Sequence, residues 1–400
     1  MAGATAEADN QRVTAAPDRL FTPAFIVLTL SELAYFTAGG LVIGLTTFFV
    51  TGPIGEDESG VALVVAAFTV TTLALRPYAG RLADRRGRRP LLIGGGALFA
   101  VVILAHAIAS DMATLIVLRL LWGVAEAFYF VAAFAALADL APPGRTGEAL
   151  SFNSLALYLG LALGPLLGQA LIELGGFTAA WIGGFALGIA ATVLAVWLPE
   201  TATPSPADSD GSSTIFHRQA VGPGLALFTG TVAMSGYLLL VGPHAEGIGL
   251  DAWSVTFLLF GAVVIVLRLA FATLPDRVPP LRLGGAALAL AGTGLVVVAV
   301  TGGVIGLLVG TSLLAAGVAF MTPALFAATF VRVPAAERGV ASGTMSFLID
   351  LGFGVGPFMM GFVAAASGTP LAFAIGAAIA LIGSAATLIL PSLGRSAVRA

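Results

Sequence analysis

The chain has 400 residues, 58% hydrophobic and 10% charged, with a formal net charge of −3 and a mean hydropathy of +1.02. An average soluble domain carries roughly 25% charged residues, so an ordinary water-soluble globule is excluded, and the weak negative charge gives no support to nucleic-acid binding. Cysteine is absent and all 18 basic residues are arginine, which excludes disulfides, thiolate chemistry, cysteine metal sites and the lysine of a phosphate-binding loop or Schiff base, and with them an ATP-driven pump.

A bilayer-spanning helix takes about 20 predominantly apolar residues. Apolar runs between charged or Pro/Gly-rich breaks predict twelve of them, near 23–50, 60–80, 90–109, 113–139, 148–172, 178–198, 223–243, 253–274, 283–300, 304–331, 340–366 and 371–390. The domains that follow are a polar tail (1–22), a six-helix bundle (23–199), a linker rich in Pro, Ser, Thr and Asp (200–222), a second six-helix bundle (223–391) and a tail (392–400). The first run is longer than a signal-peptide core and more spans follow, so it reads as a retained helix.

Short cytoplasmic loops are enriched in basic residues. Arg12 and Arg19 precede the first span; Arg81, Arg85, Arg86, Arg88 and Arg89 lie between the second and third. Arg145, Arg218, Arg277, Arg282, Arg332, Arg338, Arg395 and Arg399 fall in later connections of the same side or in the C-terminal tail. The opposite connections carry Glu56, Asp57, Glu58, Asp111, Glu173, Glu246 and Asp251 and no arginine. Both termini are therefore expected in the cytoplasm and the chain in an inner (plasma) membrane.

The halves repeat. Arg76, Leu82, Asp84 and Arg85 match Arg268, Leu274, Asp276 and Arg277 at an offset of 192, and Gly160, Gly164 and Pro165 match Gly352, Gly356 and Pro357 at the same offset. Parallel six-helix repeats place a substrate site near the bilayer midplane between the halves, which rock about it.

The stretch GRLADRRGRR, Gly80 to Arg89, lies between the second and third spans. It resembles the signature loop of the major facilitator superfamily, G-x-L-x-D-R-x-G-R-R/K. Physically it reads as a tight turn in which Gly80 permits close approach, Gly87 permits unusual backbone angles and Arg85, Arg88 and Arg89 meet carboxylates or helix C-termini; anchoring to anionic lipid headgroups is the other reading. The resemblance implies that Asp84 meets the N-terminal end of the eleventh helix and latches one conformational state. The second copy keeps Asp276 and Arg277 but has Ala272, Pro279 and Pro280 where the first has Gly80, Gly87 and Arg88, so a weaker latch is expected there.

RLLWGVAEA places Arg119, Gly123 and Ala127 in a pattern similar to the superfamily's helix-four motif, R-x-x-x-G-x-x-x-A. An arginine inside a span is functional by default, unless it snorkels to the nearby outer surface. Glu126 lies seven residues beyond Arg119, on nearly the same face and about 10 Å away. Glu32 lies at mid-depth of the first helix, which neighbours the fourth in the superfamily fold. Burial raises a carboxylate pKa and a close arginine lowers it, so alternating contact with Arg119 is expected to make either glutamate a proton carrier; permanently protonated or ion-paired glutamates are the alternative.

LGLALGPLLGQ, with Gly160, Gly164, Pro165 and Gly168, resembles the superfamily's antiporter motif G-x-x-x-G-P-x-x-G-G, with Gln169 in place of the last glycine. Its small residues and proline suggest a surface on which the halves rock, or ordinary small-residue packing. Asp350 in the eleventh span is the third intramembrane acid, a contact for substrate or proton or a bond to neighbouring backbone or hydroxyls. Asn153, Tyr158, Thr231, Tyr237 and Thr322 are further cavity candidates, each equally a helix–helix contact. The histidines form no constellation, and no metal or cofactor is expected.

The resemblance spans most of the chain and implies the major facilitator fold: an all-α membrane protein of twelve transmembrane helices in two pseudo-symmetric bundles. Within the superfamily it looks like the drug:proton antiporters and sugar-efflux permeases. The expected function is proton-coupled efflux of a small organic molecule by a monomer embedded in lipid. A proton-coupled importer of a sugar or organic acid, and a non-transporting sensor or scaffold, are the alternatives. With one arginine against three acids expected in the cavity, a neutral or cationic substrate is favoured. An intramembrane enzyme lacks a partner aspartate for Asp350 or a histidine at mid-depth.

Overall fold

The computed structural model describes residues 19–56, 58–202, 215–250 and 254–396. Arg12, Asp57, Asp251 and Arg399 lie outside them, as does most of the linker. The first half consists of α1 (Pro23–Phe49), α2 (Glu58–Arg86), α3 (Arg88–Ala105), α4 (Met112–Leu140) and the continuous run Thr146–Val196. That run breaks at Gly175 and Gly176, where φ is +68° at the second glycine, so residues 146–174 form α5 and residues 177–196 form α6. The second half consists of α7 (Arg218–Gly247), α8 (Ser254–Ala270), α9 (Pro280–Thr301), α10 (Val304–Phe330), α11 (Arg338–Ser367) and α12 (Thr369–Ser396), with a single turn, Leu274–Arg277, between α8 and α9.

Ten helices are long and apolar enough to cross a membrane. One is the 51-residue run that divides into two spans, and the 17-residue α8 is apolar as well, which brings the spans to twelve among the described residues. Helix α2 continues six residues beyond the expected end, to Arg86. Most of the expected signature loop is therefore helix, and only Gly87 breaks it, at φ +97°, where a side chain would be strained. Helix α7 likewise starts inside the expected linker and α12 runs into the expected tail. The apolar run stops at the first charged or polar residues, whereas the helical backbone continues through them.

The ends are capped from the sequence. The Thr22 hydroxyl accepts the Phe25 N–H at the start of α1, and Asp111 accepts the Thr114 N–H at 2.9 Å at the start of α4; that bond holds the exposed Asp111 carboxyl below its ordinary range. Glu200, beyond α6, accepts the N–H groups of Arg88 at 2.9 Å and Arg89 at 3.2 Å and so caps α3. Helices α1 with α5 and α7 with α11 pack closely within their halves, and the halves meet through α2 and α4 against α11 and through α5 against α8 and α10.

Candidate functional site

At the basic face the two signature copies bind the opposite half. Asp84 accepts the N–H groups of Gly339 and Val340, at the start of α11, at 2.7 Å each. Gly80 lies directly under this turn: a β-carbon there would come within 3.0 Å of Val340 Cα. Asp276 accepts the N–H groups of Gly147 and Glu148, at the start of α5, also at 2.7 Å each. The second latch, expected to be weaker, thus makes the same pair of bonds.

The two latches differ in their bracing. Arg88 meets Asp84 at 2.9 Å and Asp139 at 3.2 Å and donates to the Ala335 carbonyl at 3.1 Å; Arg338 closes the network on Asp139 at 3.0 Å. At the equivalent positions of the second copy stand Pro280, Val331 and Thr146, which cannot form it. Arg85 and Arg277 are exposed, and Arg89 donates to the Val196 carbonyl of its own half. Burial raises the Asp276 carboxyl pKa and outweighs the two N–H bonds that lower it.

At mid-depth, Arg76 of α2 lies 2.7 Å from Asp350 of α11 and 3.9 Å from Glu126 of α4, its guanidinium 4.3 Å from the centre of the Phe130 ring. One buried arginine therefore faces an acid of the other half and an acid of its own. Tyr35, stacked on Tyr129 at 3.9 Å, lies against Glu126. Sequence reasoning placed Arg76 only in the repeat, four residues from an expected helix end. The actual end is ten residues on, which sets Arg76 about 15 Å inside.

Arg119 is not the partner of either glutamate. It is buried, donates to the Thr46 hydroxyl at 2.5 Å and lies 4.9 Å from the Trp122 ring, and so does not snorkel. Thr46 lies fourteen residues along α1 from Glu32, about 21 Å, too far for alternating contact. Glu32 is fully buried and receives a hydrogen bond from the Asn153 amide, while its Oε1 has no hydrogen-bond partner among the described residues.

Arg268 was also not anticipated as a site residue. It is buried in α8, donates to the Ala319 carbonyl at 3.1 Å and to the Ser154 hydroxyl of α5, and lies 4.8 Å from the Tyr158 ring. The interior therefore holds Arg76, Arg119 and Arg268 against Glu32, Glu126 and Asp350, which corrects the expectation of a single arginine and removes the argument for a neutral or cationic substrate.

The glycine motif of α5 faces α1, within its own half. A β-carbon at Gly160 would meet Phe36, one at Gly164 the Thr37 carbonyl, and one at Gly168 Leu45, while Pro165 fills the space above Gly44. The expected rocking surface between the halves is not where these residues lie. Their mates, Gly40 and Gly44, stand in the sequence of α1 and were the signal for this packing. Thr231 bonds the Leu227 carbonyl of its own helix and Tyr237 bonds Thr311 at 2.5 Å in the core of the second half; Thr322 is half-buried. Among the described residues no group of His, Asp and Glu is arranged to hold a metal ion.

Two six-helix halves with pseudo-symmetric latches at one face and charged side chains buried between them define a multi-span membrane carrier. The chain belongs to the Major Facilitator Superfamily, whose family model matches residues 27–353, and it is a secondary transporter on that ground. It is 28% identical over 370 residues to an uncharacterized MFS-type transporter of Salmonella typhimurium, covering 90% of this chain and 94% of the relative. The solved structure of the transporter FucP in the outward conformation superposes with a TM-score of 0.78 at 16% identity, covering 93% of this chain and 99% of that one. That of the human organic anion transporter MFSD10 superposes with a TM-score of 0.77 at 19% identity, covering 91% and 98%.

Proposed function

We propose that the chain exports a small organic molecule, a drug, metabolite or sugar, across the inner membrane in exchange for protons, with both termini and the arginine-rich face in the cytoplasm. The observation that carries this reading is Arg76 held between Asp350 of the opposite half and Glu126 of its own. A proton arriving on Asp350 from the acidic face removes the charge that ties α2 to α11. Arg76 then turns to Glu126, the latches at Asp84 and Asp276 open, and the cavity faces the cytoplasm. Cargo enters there as the proton leaves, and the pair re-forms on the return. Leaving one partner of a buried ion pair uncompensated costs about 3–5 kcal/mol, the same order as the roughly 2.3 kcal/mol that 100 mV supplies per charge.

The FucP structure in the outward conformation is a fitting neighbour for a chain whose basic face is latched shut. Exchange and symport are separated in proteoliposomes loaded with cargo from a panel of drugs, sugars and organic acids. Under exchange, acidifying the side facing the acidic loops accelerates release of the cargo. Under symport, the same gradient drives accumulation and the proposal fails.

A further inference from the structure

The offset of 192 that relates the halves places Arg76 on Arg268 and Asp350 on Tyr158. The same positions therefore face each other across both contacts between halves, α2 with α11 and α8 with α5, but only one contact holds a carboxylate. Arg76 has Asp350 at 2.7 Å. Arg268 has the Tyr158 ring at 4.8 Å, the Ser154 hydroxyl and the Ala319 carbonyl, and no acidic partner among the described residues. It is 1% exposed. A guanidinium buried in a membrane-spanning bundle without a counter-charge is costly. Its hydroxyl, ring and carbonyl neighbours disperse the charge without neutralising it.

We propose that Arg268 binds the anionic group of the cargo, a carboxylate, sulfonate or phosphate monoester, which takes the place that Asp350 fills beside Arg76. Ser154 and Tyr158 cover the guanidinium from the opposite half while the Asp276 latch is closed. When α5 and α8 part at the basic face, the planar donor fork is uncovered toward that side, where it forms paired hydrogen bonds to two oxygens of one anion. Ser154 and Tyr158 then supply a hydroxyl and an aromatic wall on closure. The inference rests on reading the chain as a transporter, and it does not depend on the direction of the proton.

The test is binding to the full-length protein in detergent, followed by the ligand-induced shift in melting temperature. The probes are benzoate, benzenesulfonate and phenyl phosphate with longer aryl and alkyl homologues, each beside its neutral amide or alcohol and its amine. Anions are expected to stabilise the wild type and their neutral and cationic counterparts are not. Arg268→Gln is expected to weaken anion binding by about 10- to 100-fold, the value of one charge-assisted contact, and Arg268→Lys to weaken it less. Because Arg268→Gln is open to a folding defect, Tyr158→Asp is the second variant. It supplies the missing carboxylate, so the unliganded protein is expected to melt no lower than wild type while anion binding falls by a similar factor. Stabilisation confined to neutral or cationic probes, no stabilisation by any anion, or anion binding unchanged in both Arg268→Gln and Tyr158→Asp overturns the proposal. Anions that bind through Arg268 but never cross a liposome membrane would sink the transporter reading and leave the anion site standing.

Discussion

The Asp84 latch gives the sharpest quantitative expectation. Asp84→Asn keeps the shape of the side chain but leaves one acceptor oxygen where two accept the Gly339 and Val340 N–H groups at 2.7 Å, and it removes the charge that Arg88 meets at 2.9 Å. One charge-assisted bond is lost outright and a second becomes neutral, a net loss of about 2–4 kcal/mol. Because the bonds cross between the halves, the loss falls on the state with the basic face closed. At about 1.4 kcal/mol per tenfold, 2 kcal/mol moves the closed-to-open ratio roughly 30-fold. The chain has no cysteine, so Arg86→Cys and Arg332→Cys, at exposed positions of opposite halves, accept a unique pair of spin labels. Double electron–electron resonance is expected to give a distance distribution dominated by the short, closed population in the wild type and a longer population that grows in Asp84→Asn. An unchanged distribution would refute the reasoning.

Other expectations follow from the same geometry. Asp276→Asn is expected to open the basic face to a similar extent, since its two bonds match those of Asp84, whereas Asp139→Asn, which loosens only the Arg88–Arg338 brace, is expected to shift the spin-label distances less. Gly164→Val, whose side chain would collide with the Thr37 carbonyl and Gly40, is expected to lower the melting temperature through about 1–3 kcal/mol of overpacking and leave the interhalf distances of the folded protein unchanged; a change in those distances would restore the motif to the interface between halves. Arg76→Gln leaves Asp350 and Glu126 buried together and is expected to destabilise by about 3–5 kcal/mol. The double variant Arg76→Gln with Asp350→Asn is expected to recover part of that loss in a thermal melt. The raised pKa of Asp276 in the folded chain means that the folded state holds its proton more tightly than the unfolded one. Its contribution to stability therefore falls as pH rises from the ordinary carboxylate range through the raised value, and Asp276→Asn is expected to flatten that part of the pH–stability profile.

The fold was legible because its signals are one-dimensional. Apolar runs, arginine spacing and the offset of 192 need only position along the chain, and the bond from Asp84 to the start of α11 follows from a resemblance that places both partners. The site was less legible because its partnerships cross between segments. Arg119 and Glu126 share a helix face by spacing, but spacing does not say what packs against that face, and for Glu126 it is Arg76 of α2. Asp350 reads in the sequence as a contact for substrate, proton or neighbouring backbone and hydroxyls, because the arginine it meets lies in the other half. Arg268 matches Arg76 in the repeat, and what distinguishes its surroundings is the mismatch of Tyr158 with Asp350 at the shared offset. The glycines of α5 could have been assigned to α1 from Gly40 and Gly44, which present small faces at the same four-residue spacing.

In the proposed cycle the charge shared by Arg76, Asp350 and Glu126 couples protons to cargo. Liposomes containing the purified protein and an internal pH dye test it directly, with cargo added to wild type, Glu126→Gln, Glu32→Gln and Asp350→Asn. Proton movement on cargo addition is expected in the wild type, and its loss in Asp350→Asn or Glu126→Gln while cargo binding persists. Wild-type transport indifferent to a pH gradient, or full coupling in both the Asp350 and Glu126 variants, would contradict it.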